Sequence, residues 1–143
     1  MKTNRILILI TVWLAVAACE VNVSVDKIGP QVKGPFTTKP TETSIPPSPQ
    51  PIATDTAEYF VTWGLPKAAK GDRVKATLVA VDVGSAAPPG STALETEVEV
   101  PDDGQHWGNF TFKKPTAGWP RGSYRVDVRH GSTVIGQVAF KIE

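Results

Sequence analysis

One cysteine, two histidines and a few carboxylate groupings hold whatever covalent or acid–base chemistry this chain commands. Cys19 is the only thiol and directly follows Val16-Ala17-Ala18. Upstream stand Lys2 and Arg5, then an apolar run from Ile6 to Ala15. A basic start, a short apolar stretch and a small-residue cleavage site read as a secretory signal peptide. His106 and His130 could serve a Ser-His-Asp relay, but the chain contains no Gly-x-Ser-x-Gly elbow. His130 beside Gly131 reads as a turn residue, and His106 beside Trp107 as an exposed residue at a strand start. A metal site built on this histidine pair would need carboxylates at suitable spacing. Asp102-Asp103-Gly104 lacks the alternating ligands of a calcium loop and reads as a turn. Glu95, Glu97 and Glu99 alternate along one strand. Glycosidases place two carboxyls across a cleft from different elements, whereas a single-strand row fits a solvated face that protects an edge. The expectation is a chain with no catalytic residue, no metal and no cofactor.

The ending Val16-Ala17-Ala18-Cys19 resembles the lipobox of bacterial lipoproteins. That resemblance implies removal of residues 1–18, with Cys19 becoming the acylated first mature residue, palmitate among its chains. The membrane would then be a partner through Cys19. The apolar run is too short for a mature transmembrane helix, which needs about 20 apolar residues. An uncleaved anchor, or ordinary cleavage with a free Cys19, are the alternatives. Each buried methylene contributes about 0.8 kcal/mol, and stable anchoring takes two signals rather than a single chain. The implied location is the bacterial cell envelope. Glu20 is not the Asp that resembles an inner-membrane retention signal. The resemblance therefore implies the outer membrane in a Gram-negative cell, and otherwise the outer face of the cell membrane.

The formal net charge is +1 across 143 residues. Nucleic-acid binding calls for a basic stripe, so no nucleic-acid partner is expected. No repeat at solenoid or propeller period is present. Residues 19–54 read as a lipidated leader and a linker rich in Pro, Thr and Ser. Val21, Val23 and Val25 alternate like a strand until Gly29-Pro30 interrupts them. Pro35, Pro40, Pro46, Pro47, Pro49 and Pro51 follow among Thr and Ser. Such a composition favours extended, disordered chain, expected here to hold the domain off the membrane.

Residues 55–143 carry the folded domain. Short alternating runs separated by Gly, Pro and Asp turns, with no helical period, predict an all-β antiparallel sandwich of about six to seven strands. Gly122-Ser123-Tyr124-Arg125-Val126 resembles the penultimate strand of immunoglobulin-like domains, where a Tyr precedes a core Cys by two residues. Here Val126 stands in the place of the Cys, and Arg121 in the place of an Asp that usually precedes the Gly. The resemblance implies an immunoglobulin-like sandwich without its disulfide. It implies architecture and not activity.

Two candidate binding surfaces emerge. Trp107 shares the parity of Asn109 and Thr111, so it either faces solvent or is redirected by a bulge at Gly108. Trp119 occupies the corner before Pro120. Both indoles suit a sugar ring or a protein partner, and both equally suit the ends of a core. The second surface is Val79, Val81 and Val83, which would make the far face of their strand apolar and in need of cover. The functional expectation is a lipid-anchored, non-catalytic binding or assembly module whose partner is an envelope protein or a glycan. The alternatives are a structural spacer subunit, a small envelope hydrolase or an enzyme inhibitor.

Overall fold

A computed structural model describes residues 29–143. The expected signal sequence, Cys19 and Val21, Val23 and Val25 of the expected leader lie outside the described residues. Seven strands form in order: β1 (Gln31–Phe36), β2 (Glu58–Ala68), β3 (Arg73–Asp82), β4 (Ser91–Glu99), β5 (Gly104–Lys113), β6 (Gly122–His130) and β7 (Thr133–Ile142). They pair as two sheets, β1-β2-β5 and β4-β3-β6-β7, with every strand pair antiparallel. The result is an immunoglobulin-like β-sandwich. Among the described residues no helix is long and apolar enough to cross a membrane.

Alternation sends Tyr59, Val61, Trp63 and Leu65 of β2 inward, with Phe110 and Phe112 of β5. From the other sheet Val74, Ala76 and Leu78 meet them, with Tyr124, Val126 and Val128. Aromatic rings bridge the layers: Tyr59 lies 5.1 Å from Phe112 in its own sheet and 5.4 Å from Phe140 of β7. Burial, and secondarily the neighbouring Tyr124, pushes the Tyr59 phenol far above its ordinary pKa. Trp63 is so large that its ring lies over its cross-strand partner, Gly108. A Cβ on Gly108 would stand 2.8 Å from that ring. Gly108 therefore serves close packing, and the pairing through it is unbroken, with no bulge.

The corner before β6 carries the feature that the immunoglobulin-like resemblance implies. The Tyr124 hydroxyl donates to the Pro120 carbonyl at 2.6 Å, four residues upstream, as in a tyrosine corner. Val126 is fully buried where the disulfide cysteine would be.

The stretch expected to be a linker is instead part of the fold. Gln31–Phe36 is a strand paired with β2, and Val32 fits against the bare backbone of Gly136 on β7. Residues 37–50 then make a closed loop of the omega type. The Gln50 side-chain carbonyl accepts from the Thr37 amide (2.7 Å), the Thr37 hydroxyl (3.0 Å) and the Thr38 amide (3.2 Å). The Gln50 backbone N–H donates to the Pro35 carbonyl at 2.8 Å. At the tip, Thr41 and Ser44 exchange backbone hydrogen bonds. Beyond the loop, Ile52 is buried in the core and bridges in parallel to Ile142. The domain thus begins at β1, well before residue 55. Composition suggested disorder because proline offers no ladder donor, yet two large apolar residues, Phe36 and Ile52, fix the ends of this stretch.

Ile52→Ala should cost about 2–5 kcal/mol, whereas a residue in a solvated linker costs within about 0.5 kcal/mol. Urea unfolding of the variant measures which applies.

Candidate functional site

The outer face of sheet β1-β2-β5 is layered in three cross-strand rows. Phe36, Phe60 and Thr111 form one row, and Lys33, Thr62 and Asn109 the next. Gln31, Gly64 and Trp107 form the third. An outer face should meet water, but Phe60 is 3% and Thr62 2% exposed. The closed loop supplies the cover. The Asn109 side-chain amide donates to the Pro40 carbonyl at 2.9 Å, which places Pro40 over β5, and Ile45 lines the same groove as Thr62.

The third row is left open. Gly64 presents bare backbone, and Trp107 stands half-buried beside it. The groove there measures about 460 Å³, within the range of small-ligand sites. Lys33 borders it on one side, and Lys67, Gln105 and His106 close its far end. Among the described residues no carboxylate side chain borders it. Neither lysine has an ion-pair partner among the described residues. The His106 Nε2–H donates to the Asp102 carbonyl at 2.8 Å, so this ring is held by its own turn and is largely covered. Its expected exposure gives way to that bond.

The indoles expected at a binding surface part company. Trp107 keeps the outward parity read from sequence. Trp119 is 4% exposed and belongs to the core, against Tyr59 at 5.2 Å. Its Nε1–H donates to the Thr56 carbonyl and its backbone amide to Thr54, both at 2.9 Å. Trp119 therefore pins the segment after Ile52 and is not a surface site.

The three-valine patch also does not form. A register shift opposite β6 between Ala80 and Asp82 inserts Val81 as an extra residue. The parity flips, so Val83 enters the core with Ala87 packed nearby. Val79, paired with Arg125, is 7% exposed. Val81 alone is exposed, at 38%, and one exposed valine calls for no partner.

The carboxylates singled out in the sequence are structurally engaged. Glu97 pairs with Arg73 at 2.6 Å and Glu95 with Lys75 at 3.1 Å across the β3–β4 ladder. Asp103 accepts from the Lys70 amide. His130 lies 2.7 Å from Asp72, fastening the β6–β7 hairpin to the turn before β3. The Ala69 amide first, and His130 second, hold the Asp72 carboxyl below its usual pKa. No group of three metal-ligating side chains occurs among the described residues.

No protein-family model and no curated protein sequence matches the chain. Among solved structures, a β-glucosidase from Kluyveromyces marxianus is similar at 12% identity over 79% of this chain, with a TM-score of 0.45. A β-D-glucoside glucohydrolase from Trichoderma reesei is similar at 14% identity over 80%, with a TM-score of 0.42. The chain spans 14% and 18% of those two chains. Likenesses this faint concern backbone outline alone.

Truncation of the two indoles separates core from groove. Trp119→Ala should lose about 3–5 kcal/mol, and Trp107→Ala about 1 kcal/mol or less, in thermal unfolding. For Asp72, a lowered folded-state pKa means stability present above the unfolded value of about 3.9 and lost as pH falls through the folded value. Denaturation from pH 6 down to pH 2 should therefore show the gap between wild type and Asp72→Asn narrowing as acid is added.

Proposed function

We propose that the chain is an envelope lipoprotein whose sandwich is a non-catalytic binding module, with the groove beside Trp107 as its site. The observation that carries this reading is the open row Gln31-Gly64-Trp107, where an aromatic side chain meets uncovered backbone next to rows that are buried at Phe60 and Thr62. The non-catalytic part is supported by the two histidines, each bonded within its own neighbourhood to Asp102 or Asp72, and by carboxylates spent on ion pairs and turns.

The lipid anchor rests on the lipobox-like residues alone, and the fold adds a geometric consequence. Gly29 borders the groove, and only nine residues separate it from Cys19. Extended chain spans at most about 3.6 Å per residue, so the leash reaches about 35 Å. The proline-rich loop lies on the domain and lengthens nothing. An acylated Cys19 would hold the groove close to the lipid surface, which favours a binding module for a surface-bound partner over a long spacer.

Two measurements test this. Intact-mass analysis of the membrane fraction should find a mature chain beginning at an acylated Cys19, and Cys19→Ala should move the protein out of that fraction; a retained Met1 or a bare thiol contradicts the anchor. Retention of the purified protein on washed envelopes should fall about tenfold with Trp107→Ala, a loss of about 1.4 kcal/mol. Unchanged retention contradicts the site.

A further inference from the structure

We propose that the groove binds an acidic saccharide, a chain of pyranose rings bearing carboxylates, stacked on Trp107 and paired by Lys33 and Lys67. This deepens the binding reading above and rests on it. Trp107 offers a face of negative quadrupole, against which the slightly positive C–H face of a pyranose packs. Gly64 keeps that face accessible, because no side chain rises between β1 and β5 at this row. The charge is one-sided among the described residues: Lys33 and Lys67 border the groove, neither is ion-paired there, and no described carboxylate lines it. Gln31 and Gln105 carry amides that both donate to and accept from sugar hydroxyls.

An acidic peptide would satisfy the lysines, but the floor disfavours it. β2 is the central strand, with Gly64 paired to Gln31 on one side and Trp107 on the other. An extended peptide gains its affinity by adding to a free edge; the edges of this sheet belong to β1 and β5, at the sides of the groove and not along its β2 floor. Recognition here must come from a ring face and side-chain donors, which a flat hydroxylated ring meets better than a backbone.

The test titrates detergent-solubilised mature protein with a trimer of galacturonic acid, a neutral glucose trimer and a short oligoglutamate, read by calorimetry. The galacturonate trimer should bind, and Trp107→Ala should weaken it about tenfold or more. Gly64→Leu should weaken it likewise, by filling the groove. Its fold should persist, because a Cβ there meets only the Trp107 ring, at 3.9 Å. Joint replacement Lys33→Gln and Lys67→Gln should weaken binding about tenfold and flatten its salt dependence. Equal binding of the glucose trimer overturns the acidic part of the proposal. Equal binding of oligoglutamate without dependence on Trp107 replaces it with a charge-only peptide site. No galacturonate binding overturns the ligand class, while Trp107-dependent retention on envelopes would still stand as evidence for the groove.

Discussion

The side-chain carbonyl of Gln50 accepts three hydrogen bonds from Thr37 and Thr38, and much of the molecule's character follows from that closure. It holds fourteen residues of proline-rich chain as a loop against the outer face of a sheet. Because the loop is there, β2 is buried on both faces at Phe60 and Thr62. Because the loop meets the groove only at Ile45 among the described residues, the next row across the sheet remains open. Cover and site are two consequences of one arrangement: the groove is the part of the outer face that the loop does not cover.

The inner face solves a separate problem. The chain has one cysteine, so no intrachain disulfide can join the sheets at the usual immunoglobulin position. Val126 fills that position, and an aromatic group of Tyr59, Phe112, Trp119 and Phe140 spans the layers. Aromatic pairs contribute about 0.5–1.5 kcal/mol each beyond their buried area. The Tyr124 corner and the Trp119 bonds to Thr54 and Thr56 then tie the strand connections to this centre. That leaves the lone thiol of Cys19 without a structural task in the described domain.

Much of the sandwich was legible in the sequence, because strands with one buried face print their period. Tyr59, Val61 and Trp63, or Tyr124, Val126 and Val128, declare the core face directly, and Trp107 declares the opposite one. The corner tyrosine was legible from its distance to the missing cysteine. What escaped reading is backbone ordered without a period. β1 is short and contains Gly34-Pro35, and the loop after it is fixed by a few separate hydrogen bonds, those of Gln50 foremost, rather than by a ladder. The available signals were Phe36 and Ile52, too large and apolar for a solvated tether, and Phe60, whose outward parity demanded a cover. The valine row misled for a related reason: one inserted residue at Val81 reverses every side chain after it. The groove itself was invisible because its floor is an absence, the missing side chain of Gly64.

The closure at Gln50 can be measured without ligand or partner. Amide hydrogen exchange resolved by residue should show Thr37, Thr38 and Gln50 protected well above free-peptide rates, in step with neighbouring β1 and β2 amides. Free-peptide exchange at those three amides, with β2 and β5 still protected, would show a loose tether in place of a cover and contradict the account of how this groove is made.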